Sequence, residues 1–176
     1  MKIINKKYLL IYLLLSIGLI TLGYLFSDAP AETIDVYTIG YKDLFIIFIY
    51  NSIFMLILLL LSFTGIPIIY ITVFLYSMGE SGKVSGIDPT FYYTASFPHG
   101  LLEIILGGIV VFYSVRHIVI LFNFFMNKTD LIQLKIFYKN TITKLIPIYI
   151  GILALAALTE VYISNPLIRY MTSLGG

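Results

Sequence analysis

Glu103 and Glu160 are the two carboxyl side chains that fall inside long apolar stretches of the sequence, and His99 stands four residues before Glu103. In a helix an i,i+4 pair shares one face, about 6 Å apart along the axis. An ionisable group in hydrocarbon costs a few kcal/mol or more, so such groups turn toward a bundle interior and take a partner there. Asn51 is a further polar residue in an apolar stretch. Carboxyl groups beside an imidazole can relay a proton, hold a cation or supply Zn²⁺ ligands. The zinc reading would need His99, Glu103 and Glu160 together, and the two-His arrangement of zincins is absent. Neither a metal nor another cofactor is therefore expected. No nucleophile or oxyanion donor stands out beside the carboxyl groups, so the expectation is a protein without enzymatic activity. Structural readings stand beside the functional ones. A protonated Glu can serve as a hydrogen-bonded knot between helices, His99 can cap an interface, and Asn51 can act as interhelical glue.

Such residues need apolar elements to position them. The chain has 176 residues, 60% of them hydrophobic and 11% charged, with a mean hydropathy of +0.99. A soluble domain carries roughly 25% charged residues, so a water-soluble fold is excluded. The net charge of +2 gives no footing for nucleic acid. Zero Cys excludes disulfides and thiol chemistry. With zero Trp beside 15 Tyr and 13 Phe, tyrosine is the expected interfacial anchor.

A span needs about 20 apolar residues to cross about 30 Å of hydrocarbon. The fold class expected is all-α: a single polytopic membrane domain over residues 1–176, with about five spans and one interfacial amphipathic helix. The spans are 8–26, 44–64, 67–80, 96–115 and 145–164, and the interfacial segment is 118–143. The first span is charge-free and follows Lys2, Lys6 and Lys7. It reads as an uncleaved signal-anchor, with a signal peptide ending at Ala29-Pro30-Ala31 as the rival. Gly65-Ile66-Pro67 predicts a tight turn, since Gly permits unusual φ and Pro starts a helix well. Ser96 is the expected N-cap of the fourth span, with Pro98 in its first turn. Arg116-His117 predicts that span's end, and Asn165-Pro166 the end of the fifth.

Loop charge sets the orientation. Residues 1–7 carry +3 from three Lys, and residues 27–43 carry −3 from four acids and Lys42. Residues 79–95 carry −1, from Glu80, Asp88 and Lys83. Residues 116–144 carry +4, from Arg116, Lys128, Lys135, Lys139, Lys144 and Asp130. Basic segments stay cytoplasmic, so a bacterial cytoplasmic-membrane protein is expected, with its N-terminus inside and its C-terminus outside. The basic segment is a positive-inside and lipid-headgroup feature, or a dock for a cytoplasmic partner. Asn51, Ser77, Glu80, His99, Glu103 and Glu160 then all fall in the outer half. Gly107-Gly108 and the Gly151, Ala154, Ala156, Ala157 series favour close approach of the fourth and fifth spans.

At these residues the sequence resembles the stage II sporulation protein M family of bacterial membrane proteins. The matching pieces are Asn51, Gly65, the run Pro98-His99-Gly100-Leu101-Leu102-Glu103, and the run from Ala156-Ala157-Leu158-Thr159-Glu160 through Tyr162, Ser164 and Pro166. The likeness extends over about residues 44–166. The chain departs from the family pattern at Tyr76-Ser77-Met78-Gly79, where Asn-Gly is frequent, and at Ile104-Ile105, where Pro is. The resemblance implies a multi-span protein without established catalysis. Its expected partners, beyond the lipid bilayer, are other membrane or envelope proteins, among them an ABC exporter or peptidoglycan hydrolases. The implied setting is sporulation and peptidoglycan remodelling, or bacteriocin-related secretion and immunity. The expected role is a scaffold or partner subunit. The alternative is a transport component for a peptide or ion, using Glu103, Glu160 and His99 as polar or proton sites.

Overall fold

The structure is a computed structural model that describes residues 6–28 and 40–175. Lys2, Ala29-Pro30-Ala31, Glu32 and Asp35 lie outside the described residues. The described chain is all-α and membrane-embedded. Its helices are α1 (Lys6–Phe26), α2 (Tyr41–Leu60), α3 (Ile66–Val84), α4 (Pro89–Phe125), α5 (Leu131–Asn140), α6 (Ile146–Thr159) and α7 (Asn165–Gly175). A 3₁₀ turn, Leu61–Thr64, extends α2, and π turns at Thr141–Leu145 and Glu160–Ser164 join α5, α6 and α7 into one rod. Among the described residues four helical segments are long and apolar enough to cross a bilayer: Lys6–Phe26, Tyr41–Thr64, Pro89–Phe125 and Leu131–Met171. The expected third span is helical too, but α3 runs on past residue 80 through Ser81, Gly82 and Lys83, which dilute its apolar character.

The core lies where α2, α3, α4 and α6 meet, around Leu58, Ile71, Leu75, Leu106, Val110 and Tyr149. The outward faces carry Leu14, Leu15, Ile17, Ile46 and Ile69, all exposed. Hydrocarbon accepts such surfaces, and each helix satisfies its own backbone polar groups internally.

Several boundaries differ from those the residue types predict. The fourth helix starts at Pro89, not Ser96. Asp88 caps it, accepting from the Thr90 N–H at 2.8 Å and the Phe91 N–H at 3.4 Å, and Pro89 sits at the first position, where a missing N–H costs nothing. Pro98 is therefore inside the helix, where it leaves the Thr94 carbonyl without an i+4 donor. Arg116-His117 does not end α4. Ile118–Phe125 continues it, and Asn127 at φ 56° makes the turn into α5. With 37 residues α4 is about 55 Å long, well beyond one hydrocarbon thickness. Asn165-Pro166 likewise fails to stop the last rod. Each π turn ends two residues before a proline, Pro147 or Pro166. The wider turn lets the helix pass a residue that has no N–H and whose ring crowds the preceding turn.

Small residues set the tightest contacts, but not where the sequence pointed. α1 and α3 run parallel and interlock through glycines. A Cβ at Gly23 would overlap the Tyr76 carbonyl oxygen, and one at Gly79 would overlap the Ile20 carbonyl oxygen. Gly107 and Gly108 receive Tyr12 of α1 rather than the last rod, and Tyr12 Oη donates to the Ile104 carbonyl at 2.8 Å. Gly151 faces open space, whereas Ala156 and Ala157 are buried. α4 and α6 are indeed neighbours.

Candidate functional site

Tyr92, Ser96, His99 and Glu103 recur along α4 at intervals of four, three and four, which puts them on one face. That face looks onto a cavity of about 420 Å³, across from Ser77 and Ser81 of α3. Ser77 and Ser81 are themselves i,i+4, so two polar stripes meet in an apolar bundle. Tyr93, next to the stripe, donates from its hydroxyl to the Gly79 carbonyl at 2.7 Å and pins the start of α4 to α3. The Tyr93 ring lies over Gly82, where a Cβ would collide with it. The cavity is thus held by a tyrosine anchor and two glycines. Of the lining residues, Ser81 and Tyr92 were not singled out from the sequence, although the 92–96–99–103 spacing carried the signal.

The last rod packs against α4 near this stripe. His99 Nδ1 lies 2.8 Å from Ser164 Oγ, which ties α4 to the Glu160–Ser164 π turn. Glu103 is half-buried one helical turn after His99. Glu103 lines the cavity, whereas Glu160, on the π turn packed against α4, is not among the lining residues. Neither makes a side-chain hydrogen bond among the described residues. Glu160 occupies a π turn, a helix irregularity that recurs at functional sites.

Asn51 and Glu80 stand differently. Asn51 is half-buried on α2, lies off the cavity and has no side-chain hydrogen bond among the described residues. Glu80 turns away from the cavity to α1, where Ser27 Oγ donates to its carboxylate at 3.2 Å, and the Lys83 ammonium donates to the Ser27 carbonyl. Arg116 and Lys144 face a common hollow between α4 and the last rod, whereas Lys128, Lys135 and Lys139 are exposed elsewhere on the α4–α5 hairpin.

His99 and Ser164 have the reach of a base and a nucleophile. Ser164, however, is 1% exposed and is not among the residues lining the cavity. Among the described residues no three His, Asp or Glu side chains converge as metal ligands do, and His99 is committed to Ser164. What the cavity offers is a carboxyl group, hydroxyls and aromatic walls, suited to a cationic or hydrogen-bonding group.

A second buried polar centre lies at His117, where the sequence predicts a helix stop. His117 is 4% exposed and fully hydrogen-bonded, with Nδ1 2.6 Å from Ser62 Oγ and Nε2 2.8 Å from Tyr138 Oη. Ser62 has one proton and donates it to the Leu59 carbonyl at 2.6 Å. His117 Nδ1–H must then donate to Ser62, and Nε2 accepts from Tyr138. Rings of Phe63, Tyr113, Phe137 and Tyr138 surround the imidazole.

No family model, curated protein or solved structure matches this chain.

Proposed function

We propose that the chain is a non-enzymatic scaffold or partner subunit of a bacterial envelope process, embedded in the cytoplasmic membrane with its N-terminus inside. The observation that carries this reading is Glu103: it lines a cavity of about 420 Å³ and has no hydrogen-bonding partner among the described residues. A carboxyl group placed so in a bundle calls for a complement, and a partner's basic or hydrogen-bonding group supplies one. The resemblance to the stage II sporulation protein M family supports the same role and suggests the setting, either sporulation with peptidoglycan remodelling or bacteriocin-related secretion and immunity. An ABC exporter or a peptidoglycan hydrolase is the kind of partner that setting holds. The test is copurification of the tagged chain from native membranes in mild detergent. The expected result is an envelope protein in fixed ratio, lost with Glu103→Leu and kept with Ile105→Leu. A chain that purifies alone from membranes where it is functional overturns the reading.

A transport component is the second reading, favoured by the polar stripe of Tyr92, Ser96, His99 and Glu103 that lines the cavity. Proteoliposomes holding the chain alone would then carry protons or a cation, and Glu103→Gln would stop the flux.

Orientation rests on the basic 116–144 segment and has its own test. The sequence has no Cys, so Thr129→Cys and Asp43→Cys each create a single reactive thiol. A membrane-impermeant thiol reagent added outside intact cells should label Asp43→Cys and spare Thr129→Cys. The reverse pattern would invert the assignment.

A further inference from the structure

Between α4 and the rod of α5 and α6 lies a hollow of about 340 Å³, separate from the cavity at Glu103. Its charged lining is cationic only, Arg116 and Lys144, and neutral polar residues such as Gln133, Asn140 and Thr141 stand beside them. Arg116 and Lys144 are exposed and have no carboxylate partner among the described residues. The acid nearest in sequence on this hairpin, Asp130, is occupied capping α5, where it accepts from the Gln133 N–H at 2.8 Å. The remaining walls are apolar, with Ile109 and Phe112 on α4 and Ile136 and Ile148 on the rod. Ile136 and Ile148 are half exposed, so the hollow opens sideways at the bundle surface. The guanidinium of Arg116 also sits 6.0 Å from the centre of the Phe137 ring, which steadies its direction.

Two cations beside an apolar trough, open laterally in a membrane-embedded bundle, match one class of ligand. We propose that this hollow binds one anionic phospholipid, its phosphate against Arg116 and Lys144 and an acyl chain along Phe112 and Ile148. A free anion would satisfy the charges but leave the trough empty. A zwitterionic lipid would fill the trough, but its own cation would meet Arg116 and Lys144. Basic pockets between membrane helices recognise anionic headgroups on this principle.

The sequence has no Trp, so Phe112→Trp places a single tryptophan in the trough, excited at wavelengths the tyrosines do not absorb. The protein is reconstituted in vesicles of phosphatidylcholine and phosphatidylglycerol, with bromine on the acyl chains of one lipid at a time. Brominated phosphatidylglycerol should quench the fluorophore several-fold more than its mole fraction predicts, and brominated phosphatidylcholine should not. Adding Arg116→Gln and Lys144→Gln should lower the apparent preference about tenfold. Lys128→Gln with Lys135→Gln removes the same charge outside the hollow and should leave it unchanged. Native mass spectrometry of the unsubstituted protein should retain one phosphatidylglycerol per chain, undisturbed by inorganic phosphate. Equal quenching by the two lipids, an equal effect of the two charge pairs, or displacement by inorganic phosphate would each overturn the assignment.

Discussion

His99 and Ser164 meet at 2.8 Å, Nδ1 to Oγ, although 65 residues separate them. The contact fixes α4 against the π turn that carries Glu160. Interhelical hydrogen bonds in membranes average about 0.6 kcal/mol and reach about 1.7 kcal/mol. Ser164→Ala should therefore lower stability by about 1 kcal/mol, read from unfolding in mixed micelles with increasing dodecyl sulfate. His99→Asn keeps a side-chain nitrogen near the Nδ1 position and should lose less than His99→Leu. Equal losses in the two His99 variants would mean that the contact contributes packing alone.

Glu103 and Glu160 should behave as an opposed pair. Both are partly buried in an apolar bundle, and neither has a hydrogen-bonding side chain or a cation beside it among the described residues. When both are ionised they repel. Glu103→Gln and Glu160→Gln should thus each raise stability at neutral pH by about 1 kcal/mol, with the double variant gaining less than the sum. Under the proposed function Glu103→Gln keeps a hydrogen-bonding group and weakens partner capture only in part, whereas Glu103→Leu abolishes it. Additive gains from the two Gln variants would place the groups in independent environments.

How far the sequence carried this picture depended on whether a signal was local. Apolar runs and the Gly65 turn (φ 79°) are local, and the all-α bundle follows from them. So is the i,i+4 relation of His99 to Glu103. Helix ends were harder because two valid caps competed. Asp88-Pro89 satisfies the same rule as Ser96 and lies two turns earlier, so the longer helix forms. Asn165-Pro166 looked like a stop because a Pro is incompatible with an ordinary α-turn, yet a π turn accommodates it. His117 was not legible at all. Its partners Ser62 and Tyr138 are 55 and 21 residues away, and Arg116 beside it carries the pattern of a membrane-edge stop.

The parallel α1–α3 contact depends on two glycines, and it should be the most sensitive packing site outside the core. Gly23→Ala and Gly79→Ala each place a methyl group against backbone of the opposite helix, which cannot rotate away as a side chain can. Each should cost at least 1–3 kcal/mol, roughly the range for overpacked sites, and should separate α1 from α3. Gly151→Ala is the control. Nothing lies within 4 Å of its Cβ position, so it should gain roughly 0.5–1 kcal/mol from helix propensity. A disulfide test follows: Ile20→Cys with Tyr76→Cys should crosslink in the parent and fail to do so with Gly79→Ala.

The imidazole of His117 offers a test of whether a buried polar network is worth more than its parts. Ser62→Ala leaves Nδ1–H without an acceptor, and Tyr138→Phe leaves Nε2 without a donor, each inside a ring of aromatic side chains. Each single change should cost about 1–3 kcal/mol, the penalty for an unsatisfied buried polar group. His117→Leu removes both orphaned nitrogens at once and leaves only two hydroxyls. Ser62 keeps its Leu59 carbonyl, and Tyr138 can turn its hydroxyl to the edge of the bundle, since the residue is 37% exposed. The triple variant Ser62→Ala, His117→Leu, Tyr138→Phe should therefore be less destabilised than the sum of its singles by about 2 kcal/mol or more. Thermal unfolding of the five proteins in one detergent measures this directly. Strict additivity would show that the three groups do not act as one network, and the tautomer deduced from Ser62 would then have no energetic consequence.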